Sequence, residues 1–535
     1  MIGERFRYFL VIVLLACLPV FAAPTLSMVP MGDGTKLATD VHTPEGTGPW
    51  PVILMRSTYG RLENVAEEWL KQDYAVVIQD VRGMGSSEGE PHVFYAEGWR
   101  AGFTDGADTV TWIKAQPWCN GKIGTVGGSA LAITQMLLAP STDGVLIQNM
   151  DAVPSSLYGD TAYTGGVFLK NMIEGWLTMI KQPHLVEVYK SHPRYDDYWA
   201  HFDSIAKVED INAPALFVNG WYDIFQQGTI NGFMARQALA KEPAKGKNFL
   251  IMKWSSHGPD VETDYKLNPN RFDLKVSQIR NKIFRHYLQG DEKAIEGIPA
   301  VHYYVMGADT PGAPGNEWRT ADTWPPYETK ATAFYLHPDG GLATSVPQAV
   351  NGELSFVFDP ANPVPTHGGA NLLMPSGAFD QRKKIEGRAD ILRFATEPLD
   401  EAVEITGRVT VKLNISSDAP DTDFTAMLVD IYPDGRVLNV LDGIRRVKTR
   451  NGFTEPAPLL MGPDQIVELE IDLWSTAWIF DKGHRIGLHI SSSNFPRFEV
   501  NPNTGEDFPG AELRKATNAV YLSAEHPSVL VLPVR

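Results

Sequence analysis

Ser129 lies in Gly127-Gly128-Ser129-Ala130-Leu131-Ala132, directly after the β-branched run Ile123-Gly124-Thr125-Val126 and directly before a helix-forming run. A serine pinched between small residues where a strand turns into a helix has its hydroxyl thrust outward with backbone N–H groups behind it, the display an acyl-accepting nucleophile needs. The segment departs from G-x-S-x-G, because Leu131 stands where the second glycine belongs. A serine that merely caps the helix fits the same residues. A hydroxyl nucleophile also needs a base, and the base an orienting acid. Among the histidines of the first half (His42, His92, His184, His192, His201, His257 and His286), His257 is placed best, just past a strand ending at Lys253 and followed by flexible Gly258. Asp223 follows the strand 215–218, whereas Asp160 and Asp210 follow no clear strand.

The chain order Ser129, Asp223, His257 is that of an α/β-hydrolase. Such chemistry requires donors aimed at the oxyanion of a tetrahedral intermediate. The backbone N–H of Ala130 is one candidate; the phenol of Tyr59, in the loop after the strand 51–55, is the other, although a packed aromatic there reads the same way. The glycine-rich stretch Asp80-Val81-Arg82-Gly83-Met84-Gly85 lacks a nucleotide-binding pattern and reads as a tight structural loop. No His-Glu-x-x-His or Cys-x-x-Cys occurs, so no protein-built zinc site is expected, and hydrolysis by an activated serine requires no cofactor.

These residues need a scaffold. Between 26 and 290, strand-like runs at 51–55, 74–79, 122–126, 145–149, 215–219 and 248–253 alternate with helical ones at 62–72, 105–115, 130–138 and 227–239. That rhythm predicts a mostly parallel sheet covered by helices, with the site beyond the carboxyl ends of its strands. The rhythm breaks over 151–209, where aromatics cluster (Tyr158, Tyr163, Phe168, Trp176, Tyr189, Tyr195, Tyr198 and Trp199). This reads as a helical cap over the site or as an excursion packing its own rings. A helix at 272–288 leads to strand-like alternation at 405–415, 424–432, 466–473 and 486–491. The expected division is a hydrolase sheet over 23–150 and 210–295, a cap over 151–209 and a two-sheet β-sandwich over 296–535.

The 535 residues carry a formal charge of −17, with no basic stripe that would suit nucleic acid. Residues 1–22 combine Arg5 and Arg7, an apolar stretch and Val20-Phe21-Ala22, the pattern of a signal peptide cut after Ala22. Leu14-Leu15-Ala16-Cys17 is a weaker match to a lipoprotein box. A periplasmic or secreted protein follows, with Cys119 as its single remaining cysteine, no internal disulfide and no membrane span in the mature chain. The sequence specifies no oligomeric state.

Several segments resemble the cocaine esterase and X-Pro dipeptidyl-peptidase (S15) family of serine hydrolases: Asp80-Val81-Arg82-Gly83, Gly121-Lys122-Ile123-Gly124, Gly127-Gly128-Ser129, Gly220-Trp221-Tyr222-Asp223, Pro363-Val364-Pro365-Thr366-His367-Gly368-Gly369, Asp418-Ala419-Pro420-Asp421-Thr422-Asp423-Phe424 and Ser491-Ser492-Ser493-Asn494-Phe495-Pro496-Arg497. The resemblance implies an α/β-hydrolase domain, a helical cap and a C-terminal jelly roll. It also implies the triad Ser129, Asp223 and His257, with Tyr59 and the Ala130 amide as oxyanion hole. Two departures stand out. The family's Gly-Pro-Trp-x-His reads Lys253-Trp254-Ser255-Ser256-His257, with the tryptophan displaced by one position. The acidic pair that holds the substrate ammonium in the family's α-amino ester hydrolases is replaced by Phe225 and Gln226. An exported hydrolase of small-molecule carboxylic esters or amides is therefore expected, with Phe225 as an apolar wall. The alternatives are an X-Pro dipeptidyl-peptidase, gripping an N-terminal ammonium with Asp160 or Glu187, and a non-catalytic carbohydrate- or surface-binding protein.

Overall fold

A computed structural model describes residues 23–258 and 262–535. The expected leader, with Cys17, lies outside the described residues. Strands β1 (Thr25–Pro30), β2 (Lys36–His42), β3 (Trp50–Ser57), β4 (Ala75–Asp80), β5 (Cys119–Gly128) and β6 (Ile147–Asp151) build one side of a ten-stranded sheet. After a small hairpin of β7 (Tyr163–Thr164) and β8 (Val167–Phe168), β9 (Ala215–Tyr222), β10 (Phe249–Ser256), β11 (Val301–Val305) and β12 (Glu317–Ala321) complete it, in the order β1-β2-β4-β3-β5-β6-β9-β10-β11-β12. The strands from β4 to β11 run parallel, and both edges are antiparallel. The central strands are buried along nearly their whole length, as expected of a sheet covered on two faces.

Helices α1 (Glu67–Leu70), α2 (Asp105–Lys114) and α3 (Ala130–Leu138) join the early strands. The helix expected over 62–72 shrinks to α1 preceded by a 3-10 turn at Glu63–Val65. Leu62 and Val65 are exposed, so only Ala66, Trp69 and Leu70 offer an apolar face to hold a helix down. Helices α4 (Lys170–Met179), α5 (Leu185–Lys190) and α6 (Asp197–Ala200) fill the stretch between β6 and β9, and α7 (Gln226–Leu239) follows β9. Tyr158, Tyr163, Phe168, Tyr189 and Trp199 are buried against one another there, a ring core for a segment with little regular structure. Helix α8 (Val276–Phe284), extended by a wider turn at Arg285–Gln289, packs on the sheet through Ile283, Phe284 and Leu288.

β11 and β12, which follow residue 295, pair onto the first sheet. Beyond them the chain is β-rich. β13 (Lys330–Leu336), β14 (Leu342–Ala343), β15 (Glu353–Phe358), β16 (Leu392–Ala395), β17 (Val403–Ser417), β18 (Asp423–Ile431), β19 (Val437–Arg446), β20 (Val467–Phe480), β21 (Arg485–Ser491), β22 (Ala516–Tyr521) and β23 (Val529–Val534) form a seven-stranded and a four-stranded sheet. Alternate residues such as Val411, Leu413, Ile415, Leu428, Ile471 and Leu488 turn into a shared apolar core. The halves are joined by main chain: Met306 N–H donates to the Ala477 carbonyl and Ile479 N–H to the Met306 carbonyl, both at 2.9 Å. Among the described residues no helix is long and apolar enough to cross a membrane.

Candidate active site

β5 delivers Ser129 in a conformation that β-carbon-bearing residues rarely adopt, φ 56° and ψ −122°. The turn is held because Ser129 N–H donates to the Asp151 carbonyl (2.9 Å), while the Ser129 carbonyl accepts from Ala132 (2.8 Å) and Ile133 (3.0 Å) and so starts α3. Gly127 has to be glycine, since a β-carbon there would sit 2.5 Å from that of Leu131. Ala130 opens α3, so its N–H has no acceptor within the helix and is open to a ligand.

The three residues scattered along the sequence meet here. His257 Nε2 lies 2.9 Å from Ser129 Oγ, and His257 Nδ1 lies 2.7 Å from Asp223 Oδ2. The other carboxylate oxygen of Asp223 accepts the Phe225 N–H at 2.7 Å. With Asp223 only 2% exposed, both its oxygens are committed. Burial works against a charged imidazole, but the charge and hydrogen bond of Asp223, with Asp151 behind it, outweigh burial and raise the His257 pKa above its ordinary value. Such an array can move a proton from hydroxyl to imidazole and hold the resulting cation.

Lys253 pairs with Gly220 and Ser256 with Tyr222, so β10 carries one residue more than β9 over this stretch, a bulge that re-aims the chain toward His257. The bulge pushes the Ser255 carbonyl at β9, where a β-carbon on Gly220 would lie 2.1 Å from it. Trp254 is buried edge-on against Tyr304 and Trp318. The acid loop is braced from the β-rich half. Tyr222 OH donates to the Asn439 carbonyl (2.9 Å), and the Gln226 side-chain amide donates to the Ser475 carbonyl (2.7 Å).

Ser129 and Ala130 line a small apolar pocket. Phe225 lines it and sets its ring edge-on to the His257 imidazole at 5.6 Å. Ile133, Met172, Ile173, Trp176 and, from the β-rich half, Leu372 form other walls; the lining includes no charged side chain. Tyr59 is 43% exposed and reaches this pocket through Trp176, whose indole N–H donates to the phenol oxygen at 2.9 Å. The sequence grouped Trp176 with the cap aromatics but gave no sign of this contact, and nothing near Leu372 marks it as a pocket wall.

The Asp160 carboxylate accepts from the Ser155 N–H and hydroxyl and from the Ser156 N–H, while Asp210 and Glu187 are exposed. The 80–89 loop is structural: Asp80 accepts the Ser86 N–H, and a β-carbon on Gly85 would collide with the Asp80 carboxylate.

Comparison with known proteins matches this architecture. The X-Pro dipeptidyl-peptidase (S15 family) profile covers residues 33–185 and 179–258, and that of the X-Pro dipeptidyl-peptidase C-terminal non-catalytic domain covers 293–531. Cocaine esterase of a Rhodococcus species is 33% identical over 95% of this chain and 97% of its own, and a putative serine esterase of Mycobacterium bovis is 24% identical over 95% and 94%. In fold the chain is similar to an aminopeptidase from a marine-sediment Thaumarchaeota archaeon (TM-score 0.80, 24% identity, 96% of each chain covered). It is similar also to an α-amino acid ester hydrolase (TM-score 0.78, 23% identity, 97% of this chain and 99% of that one). With a serine and a histidine in contact at the ends of its parallel strands and cocaine esterase aligned along nearly its full length, the chain belongs to the S15 family and is a serine ester hydrolase.

Proposed function

We propose that Ser129, His257 and Asp223 are the catalytic triad of an enzyme that cleaves small carboxylic esters whose acyl group enters the apolar pocket. His257 Nε2 takes the Ser129 proton as Oγ attacks the carbonyl carbon. Asp223 steadies the imidazolium, and the oxyanion rests on the Ala130 N–H and the Tyr59 hydroxyl. Collapse of the tetrahedral intermediate breaks the ester C–O bond, the alcohol leaves with the proton from His257, and water then releases the acid from the acyl-enzyme by the same steps. No cofactor enters this scheme. The observation that carries it is the 2.9 Å approach of His257 Nε2 to Ser129 Oγ at the mouth of an uncharged pocket.

That pocket also separates the ester reading from the dipeptidyl-peptidase one, since it offers no carboxylate to an N-terminal ammonium. The segment carrying α4 to α6 serves as the cap over the pocket, and the two β-rich sheets form a jelly roll that braces the acid loop. The leader pattern of residues 1–22 supports export to the periplasm or beyond. The test is a panel of p-nitrophenyl esters, aryl amides and dipeptidyl-proline amides run on the parent and on Ser129→Ala, together with fluorophosphonate labelling. Ester turnover and labelling should vanish together in a variant with unchanged circular dichroism; undiminished ester hydrolysis by Ser129→Ala refutes the proposal.

A further inference from the structure

The geometry points to Trp176 as a positioning residue for the oxyanion hole, one that fixes which way the Tyr59 hydroxyl donates. The inference rests on the proposed role of Tyr59. An indole N–H can only donate, so in the 2.9 Å contact the phenol oxygen must accept and its own proton must point elsewhere. Among the described residues nothing takes that proton, and Tyr59 is open enough for a substrate to reach it. The hydroxyl is therefore left with one unused donor beside the pocket that contains Ser129. Ser57 Oγ accepts the Tyr59 N–H at 3.0 Å and holds the loop that carries the ring.

Trp176 is well held for such a task. Its ring stacks on Phe94 with centroids 5.6 Å apart and planes 7° from parallel. Its helix, α4, is pinned to the β-rich half by Lys170, which pairs with Glu499 at 2.9 Å, and by the Asn171 N–H, which donates to the Arg497 carbonyl at 3.3 Å. At Gly175 the helix backbone approaches Leu373 closely: a β-carbon there would lie 2.3 Å from the Leu373 side-chain end. The indole is thus fixed from two sides before substrate arrives. When negative charge grows on the substrate oxygen, the chain indole N–H to phenol O–H to oxyanion has all its dipoles aligned, and each bond strengthens the next. Without Trp176 the phenol can turn its proton to water, and that reorientation must be reversed in every catalytic cycle. A second role as pocket wall does not account for the polar contact, since any apolar side chain of similar size would line the pocket.

The experiment is a double-mutant cycle between Trp176→Phe and Tyr59→Phe, with p-nitrophenyl acetate as substrate and kcat and KM measured separately. Trp176→Phe keeps an aromatic ring against Phe94 and removes only the donor and part of the volume; naphthylalanine at 176 keeps the bicyclic volume and serves if Trp176→Phe does not fold. Either substitution at Trp176 should lower kcat by about tenfold, a part of the 10²–10³ that a whole oxyanion donor supplies, and leave KM within about twofold. In the Tyr59→Phe background the same change should cost nothing more. If the Trp176 effect falls on KM, or persists undiminished when Tyr59 is already Phe, Trp176 is only a wall and the inference fails while the triad stands. If Tyr59→Phe itself turns over like the parent, the oxyanion role of Tyr59 fails first and this inference falls with it.

Discussion

Replacing Asp223 by Asn tests the hydrogen-bond accounting at the site. In the parent one carboxylate oxygen accepts from His257 Nδ1 and the other from the Phe225 N–H, and the side chain is sealed from water. An amide has one acceptor for these two tasks. If its oxygen keeps the Phe225 N–H, its NH₂ faces Nδ1 and forces the proton onto Nε2, so the imidazole presents a donor to Ser129 and cannot take its proton. The opposite orientation preserves the useful tautomer but sets two buried donors against each other, at a cost of about 1–3 kcal/mol. The incompetent arrangement is therefore favoured. The variant also loses the charge-assisted bond that stabilises the imidazolium, about 1.5–3 kcal/mol. Together these raise the barrier by about 2.5–6 kcal/mol, a fall in kcat/KM of roughly 10²–10⁴ at about 1.4 kcal/mol per decade. Because the favoured orientation leaves no buried group unpaired, thermal stability should change little. The assay is p-nitrophenyl ester hydrolysis at pH 8 with fluorophosphonate labelling rates and a melting curve beside it. A kcat/KM within tenfold of the parent in a well-folded Asp223→Asn protein would mean that Asp223 does not set the tautomer of His257, and the reasoning is wrong.

Other outcomes follow from the same contacts. The His257 pKa is raised, so the neutral base is lost from above its ordinary value of 6.5 downward; kcat/KM should fall on the acid side from a midpoint above 6.5, and a profile flat to below pH 6 contradicts the assignment. Tyr59→Phe should lower kcat by about 10²-fold with a melting temperature close to that of the parent, because the residue is 43% exposed and keeps its ring; an effect on KM alone argues against an oxyanion role. Gly220→Ala drives a β-carbon into the Ser255 carbonyl and must displace the bulge ahead of His257, so both stability, by about 2 kcal/mol or more, and turnover should drop; urea denaturation and ester assay read the two. Tyr222→Phe strands the buried Asn439 carbonyl and should cost about 1–3 kcal/mol in the same denaturation experiment, with no loss if the brace from the β-rich half is immaterial.

What could be read from the residues alone was local. Ser129 was legible because strand, tight turn and helix are contiguous and Gly127-Gly128 announce the turn, although only at Gly127 does the structure leave no room for a β-carbon. Asp223 and His257 were legible because each follows a strand whose alternation and β-branching mark it, and because strand ends gather on one rim of a parallel sheet. The shifted tryptophan was visible as a departure from the family pattern, whereas the bulge beside it shows only in the pairing of β10 with β9. Other features depend on packing between distant segments. The helix expected over 62–72 failed for want of a surface to bury Leu62 and Val65, and β11 and β12 joined the first sheet across a composition change that had suggested a boundary. Leu372 in the pocket wall, Asn439 and Ser475 beneath the acid loop, and the bond from Trp176 to Tyr59 join residues from about 117 to 249 positions apart. Local propensity and periodicity encode what a segment does with its near neighbours; which remote side chain fills a given gap is decided when the elements close on one another, and the chemistry of this pocket was decided at that step.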